Sequence, residues 1–160
     1  TDCPLYWISV IYLNFAEAKA EMGSLTQDDL NNSINKLQAR AGLPAMTTTP
    51  DADPANNMGV SNLIWEIRRC RRCELIMDNW YRYWDLIRWH QLDKLDSTKY
   101  PNTMLGANVS NVPNCEEATK NGYIDASDAQ IRTYEAKHYF YPIPTTQLTL
   151  NKNMKQNPGW

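Results

Sequence analysis

Apolar residues in the first quarter of the chain recur every three or four positions, which is the spacing of one helix face. The first run, from Tyr6 to Met22, predicts an amphipathic helix. Gly23 predicts the end of this helix, because glycine adopts the left-handed conformation that is common just past a helix C-terminus. The positions that define the apolar face are Val10, Leu13, Ala16 and Ala20.

The second run predicts a helix from Thr26 to Ala41 that stops at Gly42 and Pro44. Thr26 and Asp29 have the spacing of a capping pair. The apolar positions of this helix are Leu30, Ile34, Leu37 and Ala41. So short a connection favours antiparallel packing of the two helices, and the small alanines of the first helix allow a close approach. The pair resembles a tetratricopeptide-type helical hairpin.

Two more helices are predicted after a polar stretch. Residues 46–57 are rich in Thr, Pro, Asp and Asn, which predicts an exposed loop. Helical spacing resumes from about Val60 to Met77, and again from about Asn79 to Leu92. Asn79 is the candidate cap of the fourth helix. The more apolar side of that helix carries Trp80, Tyr83, Trp84 and Ile87.

The remaining chain has weaker periodicity. Residues 95–121 contain prolines, a glycine and several asparagines, which predicts a long irregular excursion of the kind that often carries function. Two interpretations remain open between Gly122 and Phe140. Ser127 and Asp128 could cap a short helix through Tyr134, whereas the flanking aromatic residues favour extended structure with a small hairpin. We favour mostly extended structure.

Composition places the chain among folded domains. It is 42% hydrophobic and 21% charged, with a net charge of −2 and six tryptophans in 160 residues, whereas disordered chains are less apolar and more highly charged. One core suffices at this length without disulfides or a metal. The arginines at 68–72 are followed by Glu74 and do not indicate nucleic-acid binding. No apolar run reaches the roughly 18 residues of a membrane-spanning helix.

The four cysteines do not form a recognisable metal or redox motif. Cys70 and Cys73 have Cys-x-x-Cys spacing, but no second cysteine pair or histidine cluster accompanies them. On a helix the two thiols lie one turn apart on the same face, so we interpret them as half-buried free cysteines. Cys3 and Cys115 could pair in an oxidising compartment. No metal and no cofactor is predicted.

Catalytic residues are not identifiable from the sequence. His90 and His138 are far apart and lie beside aromatic residues, so we interpret them as surface or core groups rather than general bases. A glycosidase needs two carboxylates about 5 to 10 Å apart across a cleft, and the adjacent acids of this chain lie in polar loops. Those acids are Asp28 with Asp29, Glu116 with Glu117, and Asp125 with Asp128. The chain is therefore predicted not to be an enzyme.

The C-terminal residues carry the most specific motif of the chain. They contain Tyr141-Pro142-Ile143-Pro144, Gln147-Leu148, Asn151 and Gln156-Asn157-Pro158-Gly159. This pattern resembles the C-terminal end of the SusD/RagB family of surface nutrient-binding lipoproteins. Each proline fixes its own backbone and disfavours helix at the preceding residue, so we expect an ordered, non-helical strap over residues 139–160. Its expected apolar face consists of Tyr139, Phe140, Tyr141, Ile143 and Leu148.

Two further landmarks resemble the same family. The segment from Arg71 to Trp89 is similar to the family's Glu-Arg-Arg-x-Glu-Leu and Arg-x-x-Asp-Leu-x-Arg-Trp motifs, although Asp78-Asn79 replaces the usual Glu-Gly. The segment from Tyr12 to Gly42 is similar to a family helical pair that ends in Arg-Ala-Gly. The three landmarks occur in order and cover most of the chain.

The resemblance implies a mainly α fold, with tetratricopeptide-like helical hairpins, long irregular loops and an extended C-terminal strap. Residues 1–160 are expected to form the C-terminal part of a SusD/RagB-type domain. Within it, residues 6–92 are expected to be helical, 93–138 loop-rich and 139–160 the strap. We also expect the chain to be a piece of a longer protein, with its lipid anchor on an N-terminal cysteine absent from this chain.

The resemblance also implies a function. SusD/RagB proteins are non-catalytic proteins of the outer-membrane surface of Bacteroidetes-type bacteria, where they capture glycans and deliver them to a SusC-like TonB-dependent transporter. The expected ligand is an oligosaccharide or a peptide, and no nucleic-acid partner is expected. An alternative is a scaffold or transporter-docking module whose ligand site lies in the missing N-terminal part. A glycan hydrolase is a third, less favoured possibility.

No ligand-binding residue is assigned from the sequence. An aromatic run could offer flat rings to a sugar, but its helical spacing favours a place in the core; it comprises Trp80, Tyr81, Tyr83, Trp84 and Trp89. The excursion at 95–121 is the better local candidate, through Tyr100, Asn102, Asn108, Asn111 and Asn114. Six charged residues are predicted to form structural ion pairs across a helix junction, above Trp84 and Trp89. They are Arg71, Arg72, Glu74, Arg82, Asp85 and Arg88.

Overall fold

The computed structural model describes residues 6–77, 81–113, 119–120, 122–125 and 130–160. The described part is mainly helical, as predicted. Its α-helices are α1 (Ile8–Glu21), α2 (Gln27–Asn31), α3 (Ile34–Arg40), α4 (Asn62–Glu74), α5 (Tyr81–Arg88) and α6 (Thr145–Leu150). Short 3-10 helices span Leu92–Leu95, Pro101–Met104 and Ala136–Tyr139. The strands are β1 (Leu105–Asn108), β2 (Thr119–Lys120) and β3 (Tyr123–Asp125). None of the described helices combines the length and apolar character needed to cross a membrane.

The chain divides into two compact units, Thr1–Arg82 and Tyr83–Trp160. The core of the first unit forms where α1, α3 and α4 meet. It buries five of the eight positions predicted for the first two helical runs, together with one residue from the following loop and two from the α4 region. These core residues are Val10, Leu13, Ala16, Leu30, Ile34, Met46, Ile67 and Leu75. Of the other three predicted positions, Ala20 and Leu37 are half-buried and Ala41 is exposed.

Two glycines end helices in the first unit, as the sequence predicts. Gly23 has φ +67° and Gly42 has φ +69°, the left-handed region that glycine adopts without a Cβ clash. After α1, the Ser24 N–H donates to the Lys19 carbonyl at 3.0 Å and the Gly23 N–H donates to Ala20 at 3.0 Å. This pair of bonds satisfies carbonyls that the helix leaves without partners. The predicted capping pair is also confirmed, because the Asp29 N–H donates to Thr26 Oγ1 and the Thr26 N–H donates back to Asp29.

The prediction of one helix from Thr26 to Ala41 is wrong, because the backbone breaks between α2 and α3. Ser33 has φ −131° and ψ −98°, outside the helical region. The Ser33 hydroxyl donates to the Asp29 carbonyl at 2.6 Å, and Asn32 Nδ2 donates to the Asp28 carbonyl at 3.0 Å. Such short polar side chains offer the backbone an alternative to the helix. The apolar spacing continues through the break, which is why periodicity alone does not reveal it.

The fourth predicted helix differs from the structure in its end and in its buried face. Helix α5 ends at Arg88, and His90 then adopts φ +53°. The buried side carries Asp85 and Leu86, followed by Trp89 and Leu92. Trp84 is 55% exposed, so its predicted place on the packed side is wrong. Asn79 and Trp80 lie outside the described residues.

The excursion at 95–121 is more regular than predicted. It contains the Pro101–Met104 turn of helix and two strands of a small sheet. In that sheet β3 lies between β1 and β2 and is antiparallel to both. Strand β2 precedes the segment from Gly122 to Phe140 in which a small hairpin was predicted, so its pairing with β3 is a different hairpin. The alternative cap at Ser127 and Asp128 lies outside the described residues.

The C-terminal strap is ordered, but the expectation that it is non-helical is wrong. Helix α6 follows Pro144 directly, and the Gln147 N–H donates to the Pro144 carbonyl at 2.9 Å. Pro144 is the N-cap of α6, with φ −54° and ψ 134°, so it keeps the extended backbone expected for this segment and the helix begins only at the next residue. The expected apolar face is also wrong in part, because Phe140 and Tyr141 are exposed.

The family-like motif residues hold the strap through side-chain amides. The Ile143 N–H donates to Gln156 Oε1 at 2.7 Å, and Gln156 Nε2 donates to the Ile143 carbonyl at 2.9 Å. Asn157 Nδ2 donates to the Tyr141 carbonyl at 2.6 Å. Because prolines flank Ile143 and have no N–H, its N–H is the one backbone donor between Pro142 and Pro144, and Gln156 satisfies it. The motif residues thus join the segment before α6 to the segment after it.

Candidate functional site

The residues of the 95–121 excursion that were predicted to bind a ligand differ in exposure and in their contacts. Asn102, Asn108 and Asn111 are exposed. The Asn108 side-chain oxygen accepts from the Ser110 N–H at 3.0 Å, so this amide stabilises its own turn. Tyr100 is half-buried, with Lys94 Nζ 5.3 Å from its ring centroid. Asn114 lies outside the described residues.

An exposed aromatic surface lies instead within the second unit, formed by Tyr83, Trp84 and Tyr141. The rings of Tyr83 and Trp84 meet edge to face, with centroids 5.6 Å apart. The hydroxyl oxygens of Tyr83 and Tyr141 are 3.3 Å apart. Trp84 is 55% exposed and Tyr141 is 67% exposed, so two large rings present surface to solvent beside a pair of phenolic groups. We call these three residues the aromatic surface.

The packing of α5 explains why Trp84 points outward. Asp85 and Leu86 occupy the buried side of the helix, and Trp84, two residues before Leu86, lies about 200° around the helix axis from it. Tyr141 is held from the other direction, because the Asn157 amide bonds its carbonyl. The backbone positions of the aromatic surface are therefore fixed by packing on one side and by the C-terminal motif on the other.

The phenolic pair supplies both donors and acceptors. The hydrogen bond to Tyr141 raises the pKa of Tyr83 above its ordinary value, with burial as a second cause. Its hydroxyl therefore keeps its proton at neutral pH. In an O–H···O pair one hydroxyl donates to the other, which leaves one hydrogen and several lone pairs for a ligand. The surface thus combines apolar ring faces with a small number of polar groups.

Three of the charged residues predicted to form structural ion pairs, Arg71, Glu74 and Asp85, have side-chain hydrogen-bond partners. Arg71 is buried and donates to Asn14 Oδ1 at 2.8 Å. Glu74 accepts two 2.7 Å bonds from Arg40 of α3, a partner that the sequence analysis did not identify. Asp85 is buried and accepts from Arg88 at 3.0 Å. Of the two tryptophans expected beneath these ions, Trp89 is buried and Trp84 is exposed.

The described cysteines and histidines differ in their surroundings. Cys70 is half-buried, as predicted, and burial raises the pKa of its thiol to about 12. Cys73 is exposed rather than half-buried. His138 Nδ1 accepts from the Glu135 N–H at 2.9 Å, and the His90 ring lies 4.9 Å from that of Tyr139. Within the described ranges, no group of three or more His, Cys, Asp or Glu side chains could hold a metal. Cys3 and Cys115 lie outside those ranges, as do Glu116, Glu117 and Asp128.

Comparison with known proteins identifies the family. The model of the SusD family matches residues 1–160. The chain belongs to the SusD family. Among solved structures, this SusD-family chain is similar to a SusD-like protein from Bacteroides fragilis NCTC 9343, with 25% identity and a TM-score of 0.64. The match covers 95% of this chain and 25% of the solved one, so the chain spans about a quarter of that relative's length. A search of curated proteins found no match.

Proposed function

We propose that this SusD-family chain belongs to a non-catalytic surface protein that captures oligosaccharides, with the aromatic surface of Tyr83, Trp84 and Tyr141 as a contact site. The exposed indole of Trp84 beside a phenolic pair carries this proposal. The faces of pyranose rings are apolar at their C–H groups, whereas their hydroxyls need hydrogen-bond partners. A flat ring next to two hydroxyls offers both kinds of contact.

Family membership supports the rest of the proposal. The complete protein would sit on the outer-membrane surface through a lipid anchor, and would deliver its ligand to a SusC-like TonB-dependent transporter. No hydrolysis is assigned to the chain, because its aromatic surface contains no carboxylate pair to act as acid and nucleophile. The role of this surface is to hold a sugar, and release to the transporter completes its function. A peptide is the other ligand class that the family offers.

Binding of neutral oligosaccharides to the 160-residue chain tests the proposal. Calorimetry with a panel of tetrasaccharides that differ in linkage is expected to yield at least one ligand. Trp84→Ala should weaken its binding roughly tenfold or more, because an exposed ring face that becomes buried contributes about 1.5 kcal/mol or more and 1.4 kcal/mol corresponds to a tenfold change. Tyr141→Phe keeps the ring and removes the hydroxyl, so a smaller loss is expected.

A matched control is available in the first unit. Trp7 is also exposed, at 46%, and Trp7→Ala removes the same side chain from a position outside the aromatic surface. Binding that falls equally in the Trp7→Ala and Trp84→Ala variants would contradict a specific role for Trp84. Release of new reducing ends from any panel member would contradict the non-catalytic assignment.

The alternative is a scaffold or transporter-docking module, with the ligand site elsewhere in the complete protein. It is favoured by the length comparison, because three quarters of the solved relative has no counterpart in this chain. Under this alternative, the 160-residue chain binds no member of the panel, while a complete protein containing it does. The same calorimetry therefore separates the two functions.

A further inference from the structure

A groove in the first unit has the size of a small-ligand site. Its volume is about 490 Å³, within the range of about 300 to 1,000 Å³ typical of such sites. One wall is the loop from Leu43 to Asp51, and the other is the α4 face that carries Glu66 and Arg69. A smaller cavity of about 170 Å³ shares Gln38, Leu43 and Arg69 with it. The two together form an elongated recess along α3 and α4.

Two side-chain amides, that of buried Asn35 and that of exposed Gln27, hold the loop wall of this groove in place. The Met46 N–H donates to Asn35 Oδ1 at 2.7 Å, and Asn35 Nδ2 donates to the Met46 carbonyl at 3.1 Å. Gln27 bonds the same carbonyl at 3.0 Å and accepts from the Thr48 N–H at 3.2 Å. At the far end, Trp65 Nε1 donates to Asp53 at 2.9 Å and ties the loop to α4. A wall fixed in this way loses little further freedom when a ligand binds.

The charges of the groove favour a neutral ligand. Arg69 Nε donates to Glu66 Oε2 at 2.7 Å, and a second guanidinium nitrogen bonds the other carboxylate oxygen. Bonds to Glu66 raise the pKa of Arg69, so its positive charge is retained. The guanidinium and the carboxylate neutralise each other, so an anion would have to compete with Glu66 and a cation with Arg69. The exposed carboxylate of Asp51, which also lines the groove, adds a negative charge that further disfavours an anion. A neutral ligand can bond to the remaining donors and acceptors of the Glu66–Arg69 pair without separating the two charges.

The rest of the lining suits a molecule with both apolar and hydroxyl-bearing faces. Leu43, Pro44 and Pro50 present apolar surface. Thr47, Thr49 and Gln38 add hydroxyl and amide groups along the same recess. Neutral sugars have this combination of apolar C–H faces and polar edges, and an elongated recess accommodates more than one ring.

We propose that this groove is a second carbohydrate subsite, specific for neutral oligosaccharides and separate from the aromatic surface. The inference rests on the proposed function, because it extends the same ligand class to the first unit. The preformed loop wall and the self-neutralised Glu66–Arg69 pair carry it. Capture would then use two sites on one chain, and two sites on one polymer raise the effective affinity when both can engage.

Amide chemical-shift mapping of the 160-residue chain tests the groove directly. The probes are neutral maltotetraose, cellotetraose and mannotetraose, with tetragalacturonate as the acidic control. At least one neutral probe is expected to shift the backbone amides of residues 46–49, 51 and 66–69; Pro50 has no N–H. Thr49→Trp places an indole in the groove from an exposed loop position and should weaken that binding at least tenfold. Thr146→Trp makes the same change at an exposed position of α6 and should leave it unchanged.

The outcomes separate the groove from the proposed function. Groove shifts that persist in Trp84→Ala and disappear in Thr49→Trp support the second subsite. Shifts confined to Trp84 and its neighbours overturn the groove and leave glycan capture intact. Groove shifts produced equally by the acidic probe overturn the specificity for neutral sugars. No shift with any probe, at either place, overturns the groove and the proposed capture by this chain together.

Discussion

Asp96 joins two segments that are far apart in sequence. Its Oδ1 accepts from the Thr98 N–H at 2.9 Å and from the Thr98 hydroxyl, while its Oδ2 accepts from the Tyr134 N–H at 3.1 Å. The adjacent Ser97 donates from its N–H to the Arg132 carbonyl at 2.9 Å. The carboxylate therefore fixes the turn after α5 to the segment that leads into the C-terminal strap.

These bonds give the second unit a defined acid sensitivity. The hydrogen bond from Thr98, followed by that from Tyr134, lowers the pKa of Asp96 from its ordinary value of 3.8 to about 2. Because the folded pKa is the lower one, the stabilisation is fully present above about pH 4 and is lost as the pH falls toward 2. Asp96→Asn should therefore lower the urea midpoint at pH 7. The difference from the parent chain should shrink between pH 4 and pH 2.

Asp51→Asn provides the matched control, because Asp51 is an exposed loop residue. Its urea midpoint should stay close to that of the parent at every pH. A difference between Asp96→Asn and the parent that stays constant from pH 7 to pH 2 would show that the carboxylate charge does not stabilise this turn.

The two described cysteines should react at very different rates. Burial raises the pKa of Cys70 to about 12, and the thiolate is the reactive form. Cys73 is exposed one turn away. Iodoacetamide at pH 8, followed by peptide mass spectrometry, should label Cys73 first and Cys70 only after unfolding. Equal labelling of both in the native chain would contradict the burial of Cys70.

The sequence does not reveal that α5 ends just before His90, which adopts a left-handed backbone conformation. Helical spacing extends to Leu92, and Leu92 is indeed buried. The backbone nevertheless leaves the helix, with the Gln91 N–H bonded to the Leu86 carbonyl at 2.8 Å. A non-glycine residue in the left-handed region costs about 1 to 2 kcal/mol, so the sequence favours no stop here. Packing of the following residues decides the helix end.

Helix α1 is anchored to α4 by a buried ion pair. Arg68 of α4 donates to Glu17 at 3.1 Å and to Glu21 at 3.0 Å. The side chain of Glu17 is 4% exposed, whereas that of Glu21 is 49% exposed. Two carboxylates on the same helix therefore contact the same guanidinium in very different surroundings.

The environment of each carboxylate sets the cost of its removal. Glu17→Ala leaves Arg68 buried without this partner and should lower the free energy of unfolding by about 3 kcal/mol. Glu21→Ala breaks a solvent-screened pair and should cost less than about 1 kcal/mol. Urea denaturation of both variants measures the difference. Similar losses in the two variants would mean that burial does not control the strength of these pairs.

At the level of elements, apolar spacing predicts faces better than it predicts boundaries. Leu30 and Ile34 are buried four residues apart and Leu37 is half-buried, so the predicted face of the second helical run is correct except at Ala41, which is exposed. The break at Ser33 depends on side-chain hydrogen bonds to local carbonyls, which leave the spacing unchanged. The two prolines near the C-terminus favour extended backbone, and Pro144 is extended with ψ 134°, but α6 begins at the next residue. At Ser33 the local polar chemistry, rather than the apolar pattern, decides the backbone.

In the first unit as a whole, α1 presents a second apolar face. Val10, Leu13 and Ala16 are buried in the core, whereas Ile8, Ile11 and Phe15 are exposed. A contiguous exposed apolar patch promotes association. The face predicted from the sequence, with Val10, Leu13 and Ala16, is the one that packs, whereas the spacing does not reveal that the second apolar face stays exposed.

The exposed face should limit the solubility of the 160-residue chain. Ile11→Lys, at a position 57% exposed, should reduce concentration-dependent self-association without lowering the melting temperature by more than about 1 °C, since exposed substitutions usually change stability little. Light scattering across a concentration series measures this effect. Lys36→Arg keeps an exposed charge and should leave association unchanged. Equal self-association of the Ile11→Lys variant and the parent chain would show that a surface other than this face of α1 mediates the association.

The site of the proposed function was predicted less well than the fold. The three family landmarks identify the architecture because their residues perform structural tasks, such as the Gln156 bond to Ile143. The aromatic surface depends on which side of α5 is buried, and the sequence offers Trp84 and Trp89 as equivalent choices. The groove at α4 depends on the path of a loop that has no periodicity, so its walls are visible only in the structure.

The two hydrogen bonds between the Gln156 side chain and the Ile143 backbone close residues 144–155 into a loop without a covalent link. A protease that nicks this loop leaves two ends that remain attached through one amide side chain. Truncation after Lys155, in contrast, removes the side-chain amides of Gln156 and Asn157. The hydrogen bonds to the Ile143 backbone and to the Tyr141 carbonyl are then lost. An insertion between residues 144 and 155 should therefore be tolerated more readily than the loss of residues 156–160, whose side chains make these hydrogen bonds.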